Sequence, residues 1–124
     1  MRIFKTRLFD RWANTEVLSD KALVTAVTEM NSGLVDAMLG GNVYKKRVAK
    51  PGQGKSGSYR TILAFKLKDK AFFMYGFSKN QRANITSKEL VALKRLASEL
   101  LGYSEPQLKK AVENGELIEV EDNE

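Results

Sequence analysis

Residues 59–77, YRTILAFKLKDKAFFMYGF, decide the fold of this chain. Two runs in this stretch, 59–66 and 71–77, are rich in the β-branched and aromatic residues that favour strands. The short connection between them is typical of an antiparallel hairpin. The segment VYKKRVA at 43–49 has the same character. The sequence therefore predicts three antiparallel strands in the middle of the chain.

Two helices are predicted before these strands. Residues 2–5 have the composition of a short edge strand, and a short amphipathic helix is expected around residues 6–14. Ser19 is a good N-cap for a second helix. The apolar stripe of that helix consists of Leu23, Val27, Met30 and Leu34.

Further helices are predicted after the strands. Thr86 and Glu89 form a capping box that begins a third helix, and Gly102 ends it. Ser104 caps a shorter helix, and residues 117–120 have the pattern of a last strand. These elements predict an α+β fold: a small antiparallel sheet of three to four strands, with N-terminal helices and a C-terminal helix packed on one face. A chain of 124 residues fits one domain.

Positive charge is concentrated in the central part of the chain. Residues 41–82 contain eleven lysines and arginines and one acid, Asp69, whereas the rest has ten basic and fourteen acidic residues. Such an excess repels itself unless an anion offsets it, and polyphosphate is the obvious candidate. The charge distribution therefore indicates a nucleic-acid partner. The acidic tail, residues 113–124, is either a solvated terminus or a segment that folds over the basic face.

The residue types present limit the chemistry. The chain has no histidine and no cysteine, which excludes a zinc site built on those ligands and a histidine acid–base pair. Any catalysis must use Lys, Arg, Tyr, Ser or carboxylates, and no metal or cofactor is expected. No apolar run has the length of a signal peptide or a membrane span. We therefore expect a cytoplasmic protein without a membrane partner.

The Gly-rich loop AKPGQGKS, at residues 49–56, is similar to the phosphate-binding pattern G-x-x-x-x-G-K-[ST]. Ala49 stands where that pattern needs glycine, and a strand rather than a helix is predicted after Ser56. A nucleotide-hydrolysing loop is therefore not expected. The remaining interpretations are a flexible connection and a loop whose Lys50 and Lys55 contact a nucleic-acid backbone.

Strand alternation sorts the basic residues by face. Lys45 and Arg47 share one face of the first strand, and Lys46 points the other way with Tyr44. Arg60 opens an otherwise apolar strand, so it either lines a cleft or snorkels at the sheet edge. The expected phosphate pocket combines Lys45, Arg47, Arg60, Lys79 and Arg82. Its last two members follow the third strand, in a loop that is either functional or simply solvated.

Aromatic residues of the strands are expected mainly in the core. This applies to Phe72, Phe73, Tyr75 and Phe77. For Tyr44, Tyr59 and Tyr75, stacking on a nucleic-acid base is the alternative where the ring faces the basic surface.

Two runs, KKRVAKPGQGKSGSYRTILAF at 45–65 and YGFSKNQRANI at 75–85, resemble the RelE/HigB toxins of bacterial type II toxin–antitoxin modules. The specific parts are G-K-S-G-S-Y-R-T-I and F-S-K-N-Q-R. The order of helices and strands extends the match through about residue 101. The resemblance implies a single RelE-like toxin domain over 1–124, with a core at about 1–101 and a C-terminal extension at 102–124.

The resemblance implies an endoribonuclease that enters the ribosomal A site and cuts mRNA without a metal or cofactor. Lys45, Lys46 and Arg47 fall on the family's basic strand. Arg60 falls on the arginine after the Gly-rich loop, and the basic pair after the last core strand corresponds to Lys79 and Arg82. The expected RNA-binding residues are Lys46, Arg47, Lys50, Lys55, Tyr59 and Tyr75. Many family members have a catalytic aromatic or histidine further on, where Asn84 and Ile85 stand here.

Cleavage of this kind starts with attack of a ribose 2′-hydroxyl on the neighbouring phosphate. Negative charge then develops on the phosphate, and guanidinium groups stabilise it. We expect Arg60 in this role with Arg82 assisting. Lys79 or Lys45 is the expected proton acceptor, because neighbouring cations make a lysine easier to deprotonate. The products carry a 2′,3′-cyclic phosphate and a 5′-hydroxyl.

The implied partner is an antitoxin protein that covers the cationic groove or blocks ribosome entry. In this family, antitoxins often carry a DNA-binding motif, so a helix-turn-helix protein is expected. Two other functions stay open. One is gyrase inhibition, as in ParE-like relatives of similar fold, and the other is RNA binding without toxicity.

Overall fold

The computed structural model describes residues 1–50 and 54–121, with only the backbone for residues 54–56. Within that range the chain forms four helices and six strands. In chain order they are β1 (Arg2–Thr6), α1 (Arg7–Thr15), α2 (Asp20–Asn31), β2 (Ala37–Gly40), β3 (Val43–Lys50), β4 (Gly54–Lys66), β5 (Lys70–Ser78), α3 (Ser87–Leu101), α4 (Glu105–Glu113) and β6 (Leu117–Glu119). None of these helices is long and apolar enough to cross a membrane.

The three predicted central strands are confirmed as β3, β4 and β5, which pair antiparallel in that order. The sheet is larger than predicted, with six strands in the order β2–β3–β4–β5–β1–β6. β1 lies parallel to β5, and β6 pairs with β1 on its outer side. The predicted edge position of residues 2–5 is therefore wrong. A strand from the far end of the chain covers β1, and such a non-local pairing leaves no local sequence signal.

The sequence pattern does not predict β2. It pairs with β3 across a two-residue turn at Gly41 and Asn42, each with a φ of 61°. A hairpin turn of this kind needs positive φ at both central residues, which glycine and asparagine adopt most readily. The Gly-Asn dipeptide before the first central strand was therefore the available signal.

Helices cover both faces of the sheet, so the prediction of helices on one face is wrong. On one face α1 and α2 enclose a core that includes Phe9, Leu23, Met30, Leu63, Phe65 and Phe73. On the other face α3 and α4 enclose a core that includes Phe4, Ile62, Ala64, Phe72, Leu100 and Leu108. A strand buried on both faces has a continuous apolar run rather than an alternating one. The runs ILAF in β4 and AFFM in β5 are of that kind.

The helix starts follow the predicted caps. The side chains of Ser19, Thr86 and Ser104 each accept a backbone N–H bond at the start of α2, α3 and α4. The capping box of Thr86 and Glu89 is complete. Leu34 differs from the prediction, because α2 ends at Asn31 and leaves the Leu34 side chain exposed.

The C-terminal segment shares the core of the α3 face. Leu108 and Ala111 of α4 and Leu117 of β6 are buried there. The Arg7 guanidinium also donates to the backbone oxygen of Gly115 at 3.1 Å. These contacts join the start and the end of the described chain.

A close contact between Trp12 and Gly76 sets the distance of α1 from β5. A Cβ atom added at residue 76 would lie 2.3 Å from the indole ring of Trp12. Non-bonded carbon atoms do not approach so closely. The Trp12 ring therefore fits here only because residue 76 has no side chain.

We predict that Gly76→Ala lowers the free energy of unfolding by roughly 1–3 kcal/mol, because the added methyl group displaces the Trp12 ring. Urea denaturation measures the change. In a Trp12→Ala background the same substitution should cost little, since the obstructing ring is gone. An equal loss in both backgrounds would show that the contact is not the cause.

Candidate functional site

The cross-strand register places two arginines side by side. Arg47 on β3 lies opposite Arg60 on β4, and Arg60 lies opposite Phe77 on β5. Residues directly opposite each other share a face, and neighbouring strands are about 4.8 Å apart. Both arginine side chains therefore project from adjacent positions on the face of the sheet that α3 covers.

A second row lies beside the first. Lys45 is opposite Ile62, and Ile62 is opposite Tyr75. Arg82 reaches both rows from the loop after β5: its guanidinium carbon is 5.9 Å from the Tyr75 ring centre and 5.7 Å from the Phe77 ring centre. We name the cationic patch after its four members, Lys45, Arg47, Arg60 and Arg82.

Arg60 differs from the other two arginines of the patch, which are each paired with a carboxylate. Its Nη1 donates to the Ser58 hydroxyl at 2.7 Å and to the Ser58 backbone oxygen at 3.2 Å. Ser58 is itself buried, so it holds one side of the guanidinium in place. No carboxylate in the described part of the chain lies within 4.0 Å of Arg60. The remaining N–H groups are therefore suited to an anion from outside.

Arg47 is paired with Asp36, from the loop before β2. The backbone N–H of Arg47 donates to this carboxylate at 2.6 Å, and its Nε donates at 3.1 Å. Burial acts to raise the pKa of Asp36, but the hydrogen bonds from Arg47 and the charge of Lys46 hold it below its usual value. Asp36 thus stays ionised and fixes Arg47 through one edge of its guanidinium.

Arg82 is almost fully engaged within the protein. Its Nε donates to the backbone oxygen of Asn84 at 3.0 Å, and its Nη1 donates to the Tyr75 hydroxyl at 3.1 Å. Nη1 and Nη2 also donate to the two carboxylate oxygens of Glu89, at 2.9 and 2.6 Å. The hydrogen bonds from Arg82 and from Thr86 lower the pKa of Glu89 to about 2. Arg82 is therefore held rigidly at the border of the patch.

Lys79 is exposed in the turn that follows β5. The turn is closed by the Gln81 side chain, which accepts from the backbone N–H of Ser78 at 3.2 Å. Further along, Ile85 packs into the core of the α3 face and Asn84 supplies only its backbone oxygen to Arg82. Neither residue therefore replaces the aromatic or histidine that the resemblance implies.

Lys46 lies on the opposite face of the sheet, as alternation predicts, but it is buried there. Its ammonium group pairs with Glu29 at 2.8 Å and donates to the backbone oxygen of Leu34 at 3.0 Å. These contacts tie α2 and the following loop to β3. Lys46 does not join the cationic patch, and the structure gives it a role in packing.

Tyr59 also lies in the core on the α1 face. Its hydroxyl donates to the Glu16 backbone oxygen at 3.1 Å, and its ring meets the Trp12 ring edge-on. The Lys50 ammonium group sits 4.9 Å from the centre of the same ring. Neither Tyr59 nor Lys50 is thus brought to the patch. The side chain of Lys55 falls outside the described residues, although β4 already includes its backbone.

The acidic tail lies at the far edge of the sheet as far as residue 121. β1 and β5 separate β6 from β4, and Glu119 of β6 pairs with Arg2 at 2.9 Å. A cleft of about 620 Å³ beside α4 is lined by three acidic residues, Glu105, Glu113 and Glu119, and by two basic ones, Arg2 and Lys109. The described part of the tail therefore does not fold over the basic face.

The residues that orient the patch were not predicted. Asp36 and Ser58 had no sequence signal, since each acts through a fold-specific contact. Glu89 was predicted as a helix cap, and its spacing of seven residues from Arg82 does not indicate an ion pair. Among the described residues, no group of three or more carboxylates could hold a metal ion.

Comparison with known families identifies the class of protein that this fold and basic face define. The family model described as the RelE toxin of the RelE/RelB toxin–antitoxin system matches residues 1–120. A search of curated proteins found no match. Because the family model covers nearly all of the chain, this protein belongs to the RelE toxin family. It is the toxin of a toxin–antitoxin module, and the family implies an antitoxin as its partner.

Lys46→Ala should lower the free energy of unfolding by about 2 kcal/mol, because it removes a buried charge and the partner of Glu29 and the Leu34 oxygen. The neighbouring substitution Lys45→Ala is the matched control and should cost less than about 0.5 kcal/mol. Urea denaturation of both variants measures the difference. Equal losses would contradict the structural role of Lys46.

The Glu89 ion pair predicts a pH dependence of stability. A carboxyl whose pKa falls on folding stabilises the protein above its unfolded pKa, about 4.3. That contribution is lost as the pH falls through the folded value of about 2. We expect Glu89→Gln, which cannot ionise, to be less stable than the wild type at pH 7, with the gap closing towards pH 2. Chemical denaturation across this pH range measures the difference in the free energy of unfolding between the two proteins. A difference that does not change with pH would exclude the Glu89 ion pair as its cause.

Proposed function

We propose that this toxin is an endoribonuclease that cuts mRNA on translating ribosomes in the cytoplasm. The observation that supports the proposal best is Arg60, opposite Arg47 and without a carboxylate within 4.0 Å in the described chain. An arginine that is oriented but not neutralised is suited to bind a phosphate through two parallel N–H bonds. Membership of the RelE family supports the same activity, since its toxins are generally endoribonucleases.

Arg60 would stabilise the charge that develops when RNA is cleaved. The 2′-oxygen of a ribose attacks the adjacent phosphorus, and the bond to the 5′-oxygen breaks. During this step the non-bridging oxygens gain negative charge, which fixed N–H donors stabilise without reorganising. Because the attacking group is the substrate's own hydroxyl, the products are a 2′,3′-cyclic phosphate and a 5′-hydroxyl.

Arg47 would bind the same RNA backbone beside Arg60. Asp36 accepts from its Nε and its backbone N–H, and neither Nη group donates to another described residue, so both are available to a ligand. The pairing reduces the repulsion between two opposed cations and fixes the side chain before RNA arrives. Arg47 is therefore assigned to binding and Arg60 to the reacting phosphate.

Lys45 is our candidate for the group that takes the 2′-proton. It lies two residues from Arg47 on the same face, in the row next to Arg60. In its neutral form its amine accepts the proton as the 2′-oxygen attacks, while a proton from a second cationic group goes to the departing 5′-oxygen. Lys79, which is exposed in the turn after β5, is the other candidate for the proton acceptor or the proton donor.

The antitoxin is proposed to cover the cationic patch. Two strands, β3 and β4, and the loop after β5 contribute its members, and its excess charge would favour an acidic segment of the partner. We propose a helix-turn-helix protein for this partner, by the family resemblance.

Arg60→Ala should reduce cleavage about 10²–10³-fold, the usual cost of removing a donor to a developing oxyanion. The change leaves the apolar core intact, so the variant should still fold. Expression in bacteria, with mapping of RNA ends that carry a 5′-hydroxyl within coding regions, measures both toxicity and cleavage. Arg11→Ala, on the exposed side of α1, is the control and should remain fully toxic.

Two outcomes would count against the proposal. Undiminished toxicity of the Arg60→Ala variant would contradict the role assigned to Arg60. Growth arrest with intact transcripts would exclude RNA cleavage, and inhibition of purified gyrase by the wild type would then favour ParE-like action.

A further inference from the structure

A chain of three polar side chains crosses the border of the cationic patch. The Glu89 carboxylate accepts two hydrogen bonds from Arg82, at 2.6 and 2.9 Å, and Arg82 donates to the Tyr75 hydroxyl at 3.1 Å. Glu89 is anchored in turn by the backbone N–H of Thr86, at 2.7 Å. We name this chain the Glu89–Arg82–Tyr75 relay.

Arg82 has little capacity left for a substrate. A guanidinium has five N–H groups, and four of those in Arg82 donate to Asn84, Tyr75 and Glu89. A two-pronged contact with phosphate would therefore have to break the Glu89 pair. Arg82 thus acts within the protein, and its charge reaches the patch through Tyr75.

The Tyr75 hydroxyl is left with a proton to donate. Its oxygen accepts from Arg82, and no acceptor for its own O–H is found among the described residues. A hydroxyl that accepts from a cation becomes a stronger donor, because successive hydrogen bonds polarise one another. The relay therefore presents a polarised O–H group at the surface of the patch.

The position of Tyr75 suits a contact with the reacting phosphate. Its row contains Lys45, and the adjacent row runs from Phe77 to Arg60. The Tyr75 and Phe77 rings pack together at 6.0 Å on the same face. Tyr75 is thus half-buried, with its ring packed against Phe77 and its hydroxyl next to Arg82.

We propose that Tyr75 is a catalytic residue that donates a hydrogen bond to the scissile phosphate, and that Arg82 and Glu89 position it. This inference rests on the proposed RNA cleavage. The donated bond strengthens as negative charge grows on the phosphate oxygen, so it lowers the barrier more than it tightens binding.

The test is a double-substitution cycle on mRNA cleavage by purified toxin and translating ribosomes. Tyr75→Phe removes only the hydroxyl, and should lower the cleavage rate about 10–100-fold with the half-saturating ribosome concentration within about threefold. Glu89→Gln keeps a side chain that fits the capping box but removes the charge that holds Arg82. It should lower the rate about fivefold to tenfold in the wild type and have no further effect in Tyr75→Phe.

Ser104→Ala is the control for a general loss of stability. It removes the N-cap of α4, away from the patch, and should leave the cleavage rate unchanged. A wild-type rate in Tyr75→Phe, or equal effects of Glu89→Gln in both backgrounds, would overturn the relay. These results differ from failure of the proposed function, in which the wild type itself cuts no RNA.

Discussion

The register of β3, β4 and β5 is the constraint on which the rest of the structure depends. It sets Arg47 directly opposite Arg60, although like charges in this position repel. Burial of apolar side chains on both faces of β4 and β5 offsets that repulsion. A slip of one residue would move the arginines to the other face. The same pairing therefore specifies the core and the cationic patch.

Carboxylates outside the central strands give the members of the patch different roles. Arg82 is almost saturated by Glu89 and its neighbours, and Arg47 is held along one edge by Asp36. Among the described residues, Arg60 donates hydrogen bonds only to Ser58, so it keeps its capacity for an external anion. Among the three arginines of the patch, repulsion is reduced at two, Arg47 and Arg82, while Arg60 stays available. This gradation suits a site that must bind one phosphate in a fixed orientation.

Adjacent residues of β3 show how far sequence reasoning reaches. Alternation correctly placed Lys45 and Lys46 on opposite faces. It could not show that Lys46 is buried and paired with Glu29, because that contact depends on where α2 packs. The same limit applies to Tyr59, whose aromatic ring suits either base stacking or a core, and which lies in the core.

The sequence by itself determined the three central strands, the capped helix starts and the concentration of positive charge, because these depend on neighbouring residues and short periods. Only the tertiary structure decided that β1 lies inside the sheet, that helices cover both faces and that Glu89 holds Arg82 against Tyr75. These features join segments whose approach is driven by burial of the whole core. Burial is not directional, so it leaves no local pattern from which the partners can be read.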